Sequence, residues 1–598
     1  MRNLKFNISN LKSEIMEGCF TKKLAYLVLC GAACLYGLAG CTPKNYKKDA
    51  DERVYNIIDK KWKDEFGPKV NYRISDVPPS PNDIQIEKAI PASGVLSLAQ
   101  AVAIATAHNH DYHLQKELLY TMALDLGLTR HQFETQFFGM GGGLYAKAAG
   151  EEFAGVGAGI EPRINPDRLG QDLPADACGL RGDRLNLTNG FGFNQLLGTG
   201  TRIGTNVAIS WGRILTGTLE GERFLSVLSA EVTQPLLRGN NQTVVLENLT
   251  QAERDMLYQV RSFNRFRKTF VVSVITQYYQ VLQFFDAVKN ARRNYNTIAW
   301  LYERAKKLGE VGRLPKHEVD EVRQKLLQAL DTYVQAEKEY KQALDMFKIT
   351  LSLPPQTEFQ LDPNELEYLR AVELTYPDFS ETESVEAGLY RRLDLVNSAD
   401  ALIDARRKVY VAADGLRAEL NIGVRTNMPS RDLTTDAHEL EYFLGTGSQF
   451  DLALDRTAEQ NIYRKALITL NQRQREYEQA ADTVALEVRT AYRDLVKAAQ
   501  KYKLQLEALN VAHQRLKETF LLLQYRRVST RRPLDARRDL LAAQNETTQA
   551  LVNYTIATLN FYRDTEVLGV RPDGMWEKQG MMNVARRGRV ENIGVSGH

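Results

Sequence analysis

Apolar residues recur every seven positions along much of the C-terminal half of the chain. Between Val319 and Phe347, large side chains stand seven residues apart, and smaller ones follow three residues later. The large residues are Val319, Leu326, Tyr333, Tyr340 and Phe347, and the smaller ones are Val322, Ala329, Ala336 and Ala343. A strict seven-residue period is typical of a coiled-coil seam, where large residues fill the spaces beside small ones. An ordinary amphipathic bundle is the alternative that periodicity leaves open.

This helical pattern occurs twice. Residues 271–351 align without a gap with residues 485–565, a shift of 214 positions. Under this shift Tyr278 falls on Tyr492, and Phe347 falls on Phe561. A duplicated helical unit predicts a quasi-symmetric array.

The helices of this unit are predicted to be unusually long. Residues 244–308 and residues 455–532 contain neither proline nor glycine. Because an α-helix rises about 1.5 Å per residue, the first run would extend about 100 Å. Globular helices average about three turns. Rods of this length protrude from a domain, which favours the coiled coil over the ordinary bundle.

Shorter apolar stretches ahead of each pair of long helices predict β-strands. They are residues 191–193, 202–209 and 225–232 in the first copy, and residues 420–424 and 450–454 in the second. Single helices are predicted from Ser97 past Leu128 and over about 381–416. Gly141–Gly143 predict a break, and a Gly-, Pro- and Asp-rich insert follows at about 148–188. Each copy therefore reads as helix, strand pair and long helical hairpin, over residues 96–355 and 356–570.

The N-terminal segment predicts export. Lys22 and Lys23 precede an apolar run that is too short to span a membrane comfortably and ends in Leu38-Ala-Gly-Cys41. This ending resembles the lipobox of bacterial lipoproteins, which implies a signal peptide over residues 1–40 and a covalent lipid, such as palmitate, on Cys41. An uncleaved anchor or a chance cysteine is the alternative. Thr42 stands where an inner-membrane retention signal would have Asp, and Met16 is a second candidate start.

The segments that flank the two copies predict little fixed structure. Residues 41–95 are polar with scattered prolines, so they predict an extended lead from the lipid, with a short helix near residues 49–66. Residues 571–598 predict a flexible basic tail.

Composition argues against several classes of function. A net charge of +3 over 598 residues does not indicate nucleic-acid binding. Only Cys178 would remain as a free thiol in the mature chain, so no intrachain disulfide is expected. We find no catalytic or nucleotide-binding motif in a convincing context, and therefore expect neither an enzyme nor a cofactor. His108, His110 and His113 lack a completing ligand set, so no metal site is expected.

The mature chain has no run of about 18 apolar residues, and no transmembrane helix is predicted. Polypeptide also crosses lipid as a closed β-barrel, because closure leaves no unpaired strand edge. Four strands of one chain cannot close a barrel, so several identical chains would have to cooperate. A soluble sheet is the alternative that the strands alone leave open.

Four segments resemble TolC-type outer-membrane efflux proteins. Residues 232–239 and 452–461 resemble the strand-to-helix junctions, residues 96–114 the opening of the first helix, and residues 193–201 part of the first strand region. The resemblance covers about residues 96–570. It implies an α+β membrane protein that forms a homotrimer in the outer membrane. Each chain would give four strands to a twelve-stranded β-barrel, continued into the periplasm by a coiled-coil α-helical tunnel.

The resemblance also implies a function. Such proteins are exit ducts of tripartite efflux or type I secretion systems, and their partners are a periplasmic adaptor and an inner-membrane pump. A periplasmic adaptor lipoprotein and a coiled-coil envelope scaffold are the competing interpretations. Adaptors normally carry one helical hairpin between two lipoyl half-motifs, whereas this chain predicts two hairpins.

The turns between the long helices correspond to the periplasmic tip of that family. The resemblance implies adaptor contact by Val311, Gly312, Arg313, Leu314, Val528, Ser529 and Thr530. It implies a pore gate at Arg531 and Asp535. Matching the two turns in this way needs a three-residue shift from the gapless alignment.

Six arginines surround the second turn, at positions 526, 527, 531, 532, 537 and 538. If some of them face the lumen, they would favour anionic solutes at the entrance. Solvated or adaptor-facing arginines are the alternative.

Overall fold

The structure is a computed structural model. It describes residues 43–62, 72–74, 94–146, 184–214, 222–371, 380–430, 443–451, 455–525, 527–529, 531–570 and 576–578. The predicted signal peptide, Cys41, Cys178, Thr530, most of the predicted insert and most of the predicted tail lie outside these residues. The chain divides into two units at Trp62, and the first contains one described helix, α1 (Pro43–Lys61). This helix begins six residues earlier than the sequence predicted.

The second unit contains both copies of the repeat. The first copy comprises β1 (Val95–Leu96), α2 (Leu98–His108), α3 (His110–His131), β2 (Gln136–Ala146), β3 (Arg184–Leu196), β4 (Arg202–Ile214), β5 (Glu222–Pro235), α4 (Gln242–Val245), α5 (Glu247–Glu310) and α6 (Lys316–Thr350). The second comprises β6 (Gln360–Leu361), α7 (Asn364–Ala371), α8 (Glu381–Arg391), α9 (Leu393–Asp414), β7 (Glu419–Ser430), β8 (Phe443–Asp451), α10 (Thr457–Gln524) and α11 (Arg531–Asp564). A small hairpin of β9 (Leu568–Val570) and β10 (Trp576–Lys578) follows.

The helices before the strands also repeat. α2 and α8 each have 11 residues, α3 and α9 each have 22, and both sets start at a serine capping box. The single helix predicted in each copy is therefore wrong, because each breaks at one extended residue. In the first copy this is Asn109, whose Oδ1 accepts a hydrogen bond from the Tyr112 amide at 3.1 Å. The Nδ2 of the Asn109 side chain donates to the Thr350 carbonyl oxygen at 2.9 Å, which connects the break to the end of α6.

The four long helices have 64, 35, 68 and 34 residues for α5, α6, α10 and α11. Their seam positions pack as the heptads predict, and both copies contain the same tyrosine–phenylalanine pair, in which the phenylalanine is buried. The Tyr278 and Phe347 rings lie 6.1 Å apart, and so do the Tyr492 and Phe561 rings, edge to face in both cases. None of the described helices is both long enough and apolar enough to cross a membrane.

Among the described strands, six form one antiparallel sheet in the order β2-β3-β4-β5-β7-β8, and β1 pairs with β6 in a separate parallel pair. The first copy thus contributes four strands, and the prediction of a strand pair there is wrong. Gly141–Gly143, interpreted as a break, lie inside β2. A Cβ atom on Gly192 of β3 would stand only 2.7 Å from the Phe138 ring of β2. β2 itself contains four glycines, which have no side chains. Its sequence therefore shows no alternation of apolar and polar residues that would predict a strand.

A buried ionic network holds α5 against α9. Asp404, whose residue is 4% exposed, accepts hydrogen bonds from the Tyr258 hydroxyl at 2.6 Å and from Arg407 at 3.0 Å, and it also pairs with Arg254. Burial raises the pKa of Asp404, but the hydrogen bonds from Tyr258 and Arg254 outweigh it and hold the pKa below its ordinary value.

We expect Asp404→Asn to lower the free energy of unfolding by about 1–3 kcal/mol, because Arg254 and Arg407 lose their shared carboxylate and keep only Asp400 and Glu247 as counter-charges. A depressed carboxyl pKa contributes stability above the unfolded pKa of about 3.9, and this is lost as the pH falls through the folded value. The midpoint temperature of thermal unfolding should therefore fall more steeply between pH 7 and pH 3 in the wild type than in the variant. Asp331→Asn, on an exposed part of α6, is the control; equal losses in both variants would contradict the prediction.

Candidate channel surfaces

One face of the sheet is apolar across β2, β3, β4, β5 and β7. The register places Phe191 opposite Val207, Val207 opposite Leu228, and Val232 opposite Val424. The exposed apolar residues of this face are Phe137, Phe191, Val207, Ile209, Leu228, Val232, Ile422 and Val424, each between 39% and 69% exposed. Because side chains alternate along a strand, all of them point to the same side.

The opposite face is polar on β3, β4, β5 and β7, whereas β2 contributes Phe138 and Met140 to it. It includes Asn194 on β3, Asn206 on β4, Glu231 on β5 and Arg425 on β7. The sheet therefore separates an apolar surface from a polar one. In water the apolar surface would stay uncovered, because no described helix packs over these exposed side chains.

The hairpin between α5 and α6 turns at the predicted residues. Gly312 has a φ of +70°, and its amide donates to the Gly309 carbonyl at 3.0 Å. The Arg313 amide donates to the Leu308 carbonyl at 2.8 Å. These two bonds form a Schellman motif, which ends a helix through a left-handed glycine. Val311 is left 68% exposed at the end of the helix.

The second hairpin follows the gapless alignment and not the predicted three-residue shift. α5 ends at Glu310 and α10 ends at Gln524, and these residues are 214 positions apart. The counterpart of Val311 is therefore Tyr525, which is 74% exposed and which the sequence analysis missed. The shift of 214 was itself the signal that would have found it. Val528 and Ser529 lie in the loop after Tyr525.

The structure brings the two hairpin turns together. Arg531 Nε lies 3.7 Å from a Glu321 carboxylate oxygen on α6 and 3.8 Å from an Asp535 carboxylate oxygen on its own helix. Beneath these charges, Leu534 packs against Val322 and Leu301 in a common apolar cluster. The two predicted gate residues are therefore in contact, and Glu321 is a third member that sequence reasoning missed.

Most of the described arginines around the second turn are exposed to solvent, and one is half-buried. Arg531 and Arg538 have side chains 71% and 68% exposed, and Arg527 and Arg532 are exposed as well. Arg537 is half-buried, and its Nε has no hydrogen-bond partner among the described residues. Burial lowers the pKa of Arg537, and the neighbouring Arg293 lowers it further. Arg526 lies outside the described residues.

We expect Gly312→Val to destabilise the first turn by about 1–2 kcal/mol, because a side chain is unfavourable at positive φ. Trypsin cleavage after the exposed Arg313 should then be about 5- to 30-fold faster than in the wild type. Gly312→Asn is the control, since asparagine tolerates this conformation. Equal cleavage rates for the valine variant and the wild type would contradict the prediction.

No protein-family profile matches the chain, and no curated protein matches it by sequence. Solved structures do match. The CusC channel has a TM-score of 0.53 at 14% identity, covering 78% of this chain and 91% of CusC. The CmeC outer-membrane channel of Campylobacter jejuni has a TM-score of 0.52 at 15% identity, covering 86% and 92%. The MtrE outer-membrane channel of Neisseria gonorrhoeae, in its open state, has a TM-score of 0.52 at 12% identity, covering 78% and 88%.

The chain has the fold of the TolC-type outer-membrane channels. This confirms the resemblance on which the sequence-based expectation rested. Within the TolC-type fold, the six-stranded sheet and the paired hairpin turns stand at the two ends of the long helices α5 and α10.

Proposed function

We propose that three copies of this chain form the outer-membrane exit duct of a tripartite efflux or type I secretion system. The strands close a β-barrel in the outer membrane, and the long helices form a tunnel in the periplasm. Lipid on Cys41 anchors each copy. Substrates enter from an inner-membrane pump through a periplasmic adaptor, and no covalent chemistry takes place in the duct.

The apolar face of the sheet carries this proposal. Alternation of apolar and polar positions over neighbouring strands is the pattern of strands that face lipid on one side and a water-filled lumen on the other. An exposed apolar surface of this extent marks contact with lipid or with another protein. The matched structures have outer-membrane channels in their names, which favours lipid.

A second surface supports the assembly of several copies. α6 carries a row of exposed apolar side chains: Leu327, Leu330, Val334, Met346 and Ile349, between 39% and 70% exposed. Side chains three or four residues apart lie on one side of a helix, so at least the first three are neighbours on its surface. Long helices with an uncovered apolar row associate with further helices. Neighbouring copies supply these helices in the proposed tunnel.

At the tip, the proposal assigns adaptor contact to the two exposed turns. Val311 and Tyr525 stand at equivalent ends of α5 and α10, and both expose an apolar body to solvent. Arg313, Leu314, Val528 and Ser529 complete the surface. Arg531, Asp535 and Glu321 form the gate, in which the Arg531–Glu321 pair joins the two hairpins and the Arg531–Asp535 pair lies within α11. No observation favours the alternative of an adaptor or an envelope scaffold.

The test is conductance in a planar bilayer. We expect the purified lipidated protein to migrate as a heat-sensitive trimer and to open discrete channels. Leu228→Arg, on the apolar face, should prevent insertion, because an arginine facing lipid costs about 2–4 kcal/mol at mid-depth. Glu231→Arg, on the polar face of the same strand, is the matched control and should still insert. A monomeric protein that leaves vesicles ion-tight would refute the proposal.

A further inference from the structure

The number of strands per chain departs from what the resemblance implied. In the described part of the chain, six strands and not four form one continuous antiparallel sheet, and its edges are β2 and β8. Because an even number of strands alternates in direction, these two edges run antiparallel to each other. β8 of one copy and β2 of the next can therefore pair in the same antiparallel manner as the strands within the sheet.

β3 continues the apolar face of the inner strands, and β2 adds Phe137 to it, while Phe138 and Met140 of β2 lie on the opposite face. Phe137 on β2 and Phe191 on β3 are 69% and 61% exposed, and they share the apolar face with Val207 and Leu228. The Phe137 and Phe191 rings stack with their centroids 6.4 Å apart. Phe191 of β3 lies directly opposite Val207 of β4, so the apolar face continues across this strand pair, as expected if β3 belongs to the barrel wall.

The duplication locates the additional strands. The helices before the sheet repeat with a shift of 283 positions, since α2 starts at Leu98 and α8 at Glu381. The helices after the sheet repeat with a shift of 214, since α5 ends at Glu310 and α10 at Gln524. The first copy is therefore 69 residues longer than the second between the end of its α3 and the end of its α5. This interval contains the additional hairpin.

The additional hairpin returns without adding a helix. β3 and β4 join through a tight turn in which the Leu197 amide donates to the Thr201 carbonyl at 2.9 Å. Gly200 has a φ of +82°, and a Cβ atom there would stand 2.7 Å from the Gly239 carbonyl oxygen beside the start of α4. The turn thus packs against the junction from β5 into the long helix. Among the described elements, the six strands of this sheet connect to helices at four points: α3 to β2, β5 to α4, α9 to β7 and β8 to α10.

We propose, on the basis of the trimeric duct above, that three copies close an eighteen-stranded barrel whose seams join β8 of one copy to β2 of the next. Strands about 4.8 Å apart and tilted by about 40° give a backbone diameter of about 36 Å for eighteen strands and about 24 Å for twelve. The cross-section is about twice as large. The barrel then resembles a porin in width, so the tip and not the outer mouth limits the size of the solute.

Cysteine cross-linking tests the seam. In a Cys178→Ser background, Phe137→Cys on β2 is combined in turn with single cysteines at positions 443–451 of β8. Opposed residues of antiparallel strands have Cα atoms about 4.5–5.5 Å apart, which a disulfide spans. We expect cross-linked dimers and trimers over a narrow range of β8 positions. Val207→Cys on β4, with the same β8 series, is the matched control and should give none.

The outcomes separate this inference from the proposed function. Cross-links from β8 to β4 and none to β2 would mean a twelve-stranded barrel, and would overturn the inference while the trimer stands. A monomeric protein without conductance would overturn the proposed function instead. Electron microscopy of the trimer gives a second measurement, since end-on views distinguish a barrel diameter of about 36 Å from one of about 24 Å.

Discussion

Arg531→Ser is expected to raise the fraction of time that the reconstituted channel is open by about 3- to 150-fold. Arg531 connects the two hairpins through Glu321 and holds its own helix through Asp535, so its loss frees the tip. Each exposed ion pair contributes about 0.2–1 kcal/mol. Three copies acting on one gate add to about 0.6–3 kcal/mol, which corresponds to this range.

Single-channel recording in a planar bilayer measures this effect. Arg532→Ser is the control, because it removes an equal charge one residue away. If both variants open equally, net charge at the tip and not the Arg531 contacts controls opening. The same recordings in a salt gradient test the anion hypothesis, and an unchanged ion preference in Arg531→Ser removes it.

Phe347→Ala and Phe561→Ala are each expected to lower the free energy of unfolding by about 3–5 kcal/mol. The two residues are 0% and 1% exposed and occupy equivalent seam positions in α6 and α11. Each loses its edge-to-face contact with a tyrosine, and such a contact contributes about 0.5–1.5 kcal/mol beyond burial. Removing either ring leaves a cavity that long, rigid helices cannot close.

Denaturant unfolding of the detergent-solubilised protein, followed by circular dichroism, measures the loss. Phe347→Leu and Phe561→Leu retain most of the buried volume and serve as controls, with a cost of about 1.5 kcal/mol or less. The tyrosine partners add a contrast between the copies. Tyr278 is fully buried and donates to the Leu96 carbonyl at 3.0 Å, whereas Tyr492 is only half-buried. An alanine variant as stable as its leucine control would show that the seam is loosely packed.

The tip shows where sequence reasoning was specific and where it stopped. The first turn lies at the predicted residues around Gly312, because a glycine with positive φ ends a helix through local hydrogen bonds. The contact of Arg531 with Glu321 joins residues 210 positions apart, and no local pattern encodes it. The gapless duplication indicates Tyr525 as the counterpart of Val311, whereas the family resemblance points three residues further, to Val528.

The break in the first helix of each copy depends on particular hydrogen bonds. Asn109 reads as an ordinary helical position in the apolar pattern, and its role becomes visible only through its contact with the Thr350 carbonyl. Arg392 breaks the second copy at the equivalent point, where it pairs with Asp394 at 2.6 Å and with Glu487. Two different side chains thus produce the same break, so identity at the position would not have revealed it.

The amino-acid sequence alone determined the duplication, the long helices with their seven-residue seams and the site of the first hairpin turn. These features arise from contacts within a few residues, so a helical period can be recognised in a single segment of the sequence. Only the tertiary structure decided that the first copy gives four described strands to the large sheet, that the sheet carries one continuous apolar face and that the two turns meet at Arg531 and Glu321. Strand pairing joins residues far apart along the chain, and glycine-rich strands such as β2 show no alternation until their partners lie beside them.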